Sequence, residues 1–126
     1  MENFEYTFEK LRAYQEARRM VTYIYRLLNT YPDVERYAIC AQMRRSAVSV
    51  TSNIAEGTSR STLKDKIHFI EISYGSLMEV YSQLQVSLDL GYISQEAYEE
   101  AKRYVTSVAQ PLSGLRNSYL KQSEDR

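Results

Sequence analysis

Nucleophilic chemistry would have to start from a single cysteine, Cys40, and a single histidine, His68. Together they would make a thiol–imidazole pair. Cys40, however, falls in an apolar row, Cys40, Met43, Ala47, Val50 and Ile54, with helical steps of 3, 4, 3 and 4. There it reads as a small buried hydrophobe, and His68 reads as a surface or interface side chain. A di-iron bundle requires Glu-x-x-His on two helices plus further glutamates. Here the order is reversed, His68-x-x-Glu71, and it occurs once. A zinc site lacks its Cys and His ligands. Gly57, Gly75, Gly91 and Gly114 are scattered singly, so there is no phosphate-cradling loop. The expectation is a protein that is not an enzyme, with no catalytic residues, no metal and no cofactor.

The unusual polar content lies between residues 36 and 60. Gln42, Arg45 or Ser46, Ser49, Ser52 or Asn53, and Glu56 recur at 3/4 spacing opposite the apolar row. Arg36, Arg44, Arg45 and Arg60 are opposed there by one acid, Glu56. Three readings stand side by side. The row is a solvated face paired with Glu71 or Glu79 of the next helix, an oligomer interface, or a phosphate-binding surface. Arginine forks suit the last two. The twelve tyrosines fit a core with polar rims, an interface, or a base-stacking platform.

Long regular elements must carry these residues. The chain has 126 residues, 44% of them hydrophobic, with four glycines and two prolines. That is little punctuation for a turn-rich β fold. Sixteen basic residues balance sixteen acidic ones, which removes the general basic excess of a nucleic-acid or anionic-membrane binder. Apolar periodicity predicts helices over about 8–30, 34–57, 62–90 and 95–120 in a single domain, 1–126. The fold class is all-α, an antiparallel up-down-up-down four-helix bundle. The third helix is the most regular: Leu63, Ile67, Ile70, Tyr74, Leu77, Tyr81, Leu84 and Leu88 form a coiled-coil-like seam. Phe69, Ile72, Val80 and Val86 lie outside that seam, which implies a second contact surface on a neighbouring copy, and Leu77→Lys is expected to shift assembly. Predicted punctuation is a start between Asp33 and Arg36 for the second helix and a C-cap at Gly57. Ser61 and Ser94 are read as N-caps, Gly91 as a C-cap, and Ile93 with Tyr98 as a staple. Pro111 should kink the fourth helix and Lys121–Arg126 should fray. Neither a secretory signal nor an apolar span of roughly 20 residues is present, so a cytoplasmic protein without membrane contact is expected.

The stretch Gln42-Met43-Arg44-Arg45-Ser46-Ala47-Val48-Ser49-Val50-Thr51-Ser52-Asn53-Ile54-Ala55-Glu56-Gly57 resembles the signature of the 23S rRNA intervening-sequence proteins, also called S23 ribosomal proteins. Ser59, Arg60 and Ser61, then Phe69, Gly75-Ser76, Glu79 and Gln83-Leu84, extend the match, as do Ala17, Ile24-Tyr25 and Tyr31-Pro32-x-x-Glu35 upstream. Ser46 departs from the alanine common in the family. The resemblance spans about Phe8 to Tyr119 and implies a small bacterial four-helix bundle assembling as a homopentamer around an axial channel. It is also similar to the accessory variability determinant of diversity-generating retroelements, a basic pentamer that binds nucleic acid and works with a reverse transcriptase. The partners so implied are the protein itself, RNA or DNA, and a reverse transcriptase. Arg44, Arg45, Asn53, Glu56 and Glu79 are expected to form an interface or polar network. Arg44, Arg45 and Arg60 are expected to contact nucleic acid if it is bound.

Overall fold

A computed structural model describes residues 4–125. Four helices carry the fold: α1, Arg12–Leu28; α2, Ile39–Thr58; α3, Leu63–Asp89; and α4, Gln95–Glu124. Each packs against its neighbours in sequence, and α4 closes the ring against α1, while the diagonal pairs α1/α3 and α2/α4 do not approach. This is the predicted all-α bundle. Its centre is filled by Met20 and Ile24 of α1, Met43, Val50 and Ile54 of α2, Ile70, Leu77, Val80 and Leu84 of α3, and Val108 and Leu112 of α4, all fully buried. Burying one such side chain contributes about 1.5–3 kcal/mol. The core therefore fixes which face of each helix looks outward.

Several boundaries move. Residues ahead of α1 form a 3-10 turn, Thr7–Lys10, and Leu11 is extended, so α1 begins at Arg12 rather than near Phe8. The Tyr6 amide donates to the Glu9 carboxylate at 2.6 Å, and Phe8 packs edge-on against Tyr14. The predicted start of α2 is a separate 3-10 turn, Asp33–Glu35, and α2 begins at Ile39 after a non-helical Ala38. Pro32 and the two acids do initiate a turn, but Val34 and Tyr37 are 82% and 88% exposed. With no apolar face to bury, nothing extends it. The turn is instead clasped from across the bundle, where the Tyr92 hydroxyl donates to Glu35 at 2.6 Å and Tyr31 packs beside Tyr92.

The N-cap of α3 is Thr62, not Ser61: the Thr62 hydroxyl accepts from the Asp65 amide at 3.1 Å. At the other end of α3 Gly91 adopts φ +77°. Its amide bonds to the Leu88 carbonyl, and that of Tyr92 to Ser87, the paired closure that needs a left-handed glycine. Ser94 caps α4 through the Ala97 amide, with Ile93 and Tyr98 both buried at the staple positions. Gly57 is no positive-φ cap. It lies inside α2, buried, where an added Cβ would sit 3.1 Å from the Phe69 Cβ. α4 runs through Pro111 to Glu124, past the predicted end near 120. Lys66 lies over the Tyr119 ring and Arg116 pairs with Glu71, contacts that support the last turns.

Candidate functional site

The polar row of α2 is divided: Gln42, Arg45, Ser52 and Glu56 are exposed, as a solvated face requires, while Ser46, Ser49 and Asn53 are covered. Ser46 is buried and Ser49 half-buried, turned toward α3. The Ser49 and Ser76 hydroxyls bond at 2.8 Å. Asn53 donates to the Ser49 carbonyl at 2.9 Å and its hydroxyl at 3.0 Å. Ser73, with no exposed surface, donates to the Val50 carbonyl at 2.8 Å. Ser46 sits 3.0 Å from the Gln42 carbonyl and 3.2 Å from the Glu79 carboxylate, one proton serving two acceptors. Gln83 donates to Ser46 at 3.4 Å. Small side chains let the two backbones close in, and each of these serine hydroxyls has a hydrogen-bond partner, whereas Gln83 Oε1 beside them is buried without one.

The expected network is therefore only partly assembled. Asn53 and Glu79 belong to the α2/α3 seam. Glu56 pairs instead with Arg60 at 3.2 Å, and Arg60 also lies over the Phe69 ring at 4.5 Å. The Arg44 guanidinium donates to the Arg36 carbonyl at 3.0 Å. Arg45 is exposed and, among the described residues, has no carboxylate within 4 Å. Neither Glu71 nor Glu79 pairs with an α2 arginine, because Glu71 bonds Arg116 of α4 at 2.7–2.8 Å and Glu79 accepts from Ser46. Nor do Arg44, Arg45 and Arg60 form one patch in a protomer: sixteen residues of rise separate Arg44 from Arg60, about 24 Å.

The seam predicted on α3 is rotated. Its buried row is Ile70, Ser73, Ser76, Leu77, Val80, Leu84 and Ser87. Val80, expected outside, has no exposed surface, and Leu77, expected to serve a neighbour, is fully covered within its own chain. Tyr74 and Tyr81 are half-buried. Exposed apolar surface remains elsewhere: Ile72, Met78, Val86 and Leu90 along α3 and its end, and Val48 on α2, are between 36% and 54% exposed. Ile72, Gly75, Glu79, Ser82 and Val86 follow at steps of 3, 4, 3 and 4, one outward stripe.

Cys40 is buried as expected, and burial pushes its thiol above the usual range, away from the thiolate a nucleophile needs. His68 is exposed, edge-on to Phe69. Among the described residues no three His, Cys, Asp or Glu side chains could hold a metal ion, and no helix is long and apolar enough to cross a membrane.

One feature escaped the pattern reading. A groove of about 780 Å³ runs between α1 and α4, with Arg18, Arg19, Arg26 and Arg103 in its lining. Tyr23 and Tyr104 stack there at 4.4 Å, and the Tyr23 hydroxyl donates to the Ala97 carbonyl at 3.3 Å. Burial, then the nearby Glu100 carboxylate, pushes the Tyr23 phenol up to about 12. No local signal marked it: Arg103 follows Glu99 and Glu100, and Arg19 follows Glu16, at spacings where helical ion pairs form, yet among the described residues none of these pairs forms.

Comparison with known proteins gives a family and a fold. The model of the family described as "23S rRNA-intervening sequence protein" matches residues 9–114. The chain is also similar to a crystal structure from Bacteroides thetaiotaomicron VPI-5482, a protein of unknown function from the S23 ribosomal protein family. The TM-score is 0.68 at 23% identity, covering 83% of this chain and 94% of that one. No curated protein matches the chain. Neither description names an enzymatic activity.

Proposed function

The chain belongs to the 23S rRNA-intervening sequence protein family, and on that premise we propose that it is a non-enzymatic interaction protein that works as a homo-oligomer, five copies closing a ring. The single observation that carries this is the outward stripe of α3. Ile72 and Val86, with Gly75 and Ser82 between them and Val48 of α2 nearby in exposure, leave large apolar side chains open along a helix whose opposite face is fully packed. Small residues between larger ones let a second helix approach closely, and a neighbouring copy is a surface of matching apolar character. Glu79, at the middle of the stripe, supplies its charged group.

Light scattering behind size exclusion tests the reading. At micromolar concentration the expected mass is that of five 14.7 kDa chains, and the double variant Ile72→Glu/Val86→Glu should run as a folded monomer. Leu77→Lys should lose the fold instead, because it would place an unpaired charge in the intramolecular core. A wild-type monomer of 14.7 kDa overturns the proposal.

The second reading is an accessory protein that holds RNA, alone or with a reverse transcriptase, through Arg44, Arg45 and Arg60. What supports it is Arg45, exposed and without an ion-pair partner among the described residues. Arg44 and Arg60 already have partners within the chain. If Arg45→Ser leaves RNA affinity unchanged, that reading fails.

A further inference from the structure

The α1/α4 groove concentrates charge in a chain that has none overall. Sixteen basic and sixteen acidic residues cancel across the sequence, yet four arginines and a single acid, Glu16, line this groove. The two ion pairs among the described residues are Arg60–Glu56 and Arg116–Glu71, so no described carboxylate lies within 4 Å of Arg18, Arg19, Arg26 or Arg103. Glu100 is not in the lining but lies near enough to raise the Tyr23 phenol. Four arginines line the groove beside a stacked aromatic pair, and both tyrosines are half-buried.

We propose that this groove is a binding site for phosphate esters. Arginine forks take phosphate oxygens in pairs, and the open edge of the tyrosine stack offers an apolar face to an adjoining base or sugar. The groove's volume lies within the range of ligand sites, but its length favours a polymer. Arg19 and Arg26 are seven residues apart on α1, about 10 Å along its axis, and with Arg103 of α4 they set positive charge along the groove rather than at one point. A single-stranded nucleic acid, which presents a run of phosphates, engages both ends at once. The site is on the opposite side of the bundle from the α2/α3 stripe and does not depend on the assembly proposed above.

Fluorescence anisotropy with the full chain and a labelled single-stranded RNA of twelve nucleotides at 50 mM salt tests the site. Arg19→Ser/Arg103→Ser should weaken binding at least tenfold. It should also flatten the slope of log affinity against log salt by about 1.4, since each single-strand phosphate contact contributes about 0.7. Arg26→Ser is a second, independent variant and should weaken binding in the same direction. All three side chains are outside the core, and circular dichroism melts check that the fold is kept. Arg45→Ser should bind as the wild type. Competition by ATP at concentrations where inorganic pyrophosphate does not compete would name a free nucleotide as the source and keep the site. No binding of RNA or ATP, or an equal loss in Arg45→Ser, would overturn it.

Discussion

Two seams of the bundle are built on opposite plans. Between α2 and α3 the side chains are small, and Ser46, Ser49 and Ser73 bond across a close approach to the Glu79 carboxylate, the Ser76 hydroxyl and the Val50 carbonyl. Gly57 marks how close: a Cβ added there would lie 3.1 Å from the Phe69 Cβ, so the neighbour would have to give way. Between α1 and α4 large side chains meet instead. Tyr23 and Tyr104 stack, arginines stand off on both sides, and an open groove is left. Tight packing forbids ligand entry and confers register. Looser packing of bulky, charged groups leaves room for something other than protein. The first seam is therefore a structural device and the second a recognition surface.

The sharpest way to break this contrast is to enlarge one residue in each seam. Gly57→Leu should destabilise the protein by about 3 kcal/mol, on the order of 10 °C in Tm, because α2 and α3 must separate. Ser107→Leu, at the rim of the groove, should change stability by no more than about 0.5 kcal/mol. Equal losses in thermal melts of the two variants would mean that the seams do not differ in tightness.

A smaller effect separates the seams by pH. The Tyr23 phenol is raised from 10.0 to about 12 by burial and then by Glu100, so the folded state holds this proton more tightly than the unfolded chain. The stabilisation is complete below pH 10 and is lost as pH climbs from 10 through 12. Spectrophotometric titration should show a phenolate class lagging the exposed tyrosines, and Tyr23→Phe should remove one residue from it. An unchanged titration in that variant would contradict the placement of Tyr23 in the α1/α4 seam.

The smallest effect lies at the end of the tight seam. Glu56 and Arg60 pair at 3.2 Å but are both about half exposed, and such i, i+4 pairs contribute about 0.3–0.5 kcal/mol. Glu56→Gln should lower stability by that amount, less at high salt. A loss several times larger in a denaturant titration would show that Glu56 holds the seam itself.

Apolar periodicity made the bundle legible because core side chains such as Met20, Ile54, Leu84 and Leu112 repeat at helical steps and need no partner to identify them. The register of α3 was misread because Ser73, Ser76 and Ser87 count as polar in any apolar pattern. Their hydroxyls can nonetheless be buried once they find a partner: the Val50 and Gln83 carbonyls accept from Ser73 and Ser87, and Ser76 shares a hydrogen bond with the Ser49 hydroxyl. The arginines failed for a geometric reason. Arg44, Arg45 and Arg60 are close in sequence but spread along a helix, whereas Arg19 and Arg103 are distant in sequence and meet only because α4 returns beside α1. Pairing of the first and last helices is a property of the closed ring, which no local spacing encodes.

The helices also differ in length, and this grades the molecule from end to end. α1 has 17 residues and α4 has 30, about 25 Å against 45 Å, so the distal turns of α4 outreach their α1 partner and lean on the beginning of α3 through Arg116–Glu71 and Lys66–Tyr119. Those turns have the least cover and the lowest cost of transient opening. The amides there exchange with solvent soonest, while the stretch around Leu77 and Val108 waits for the whole chain to come apart.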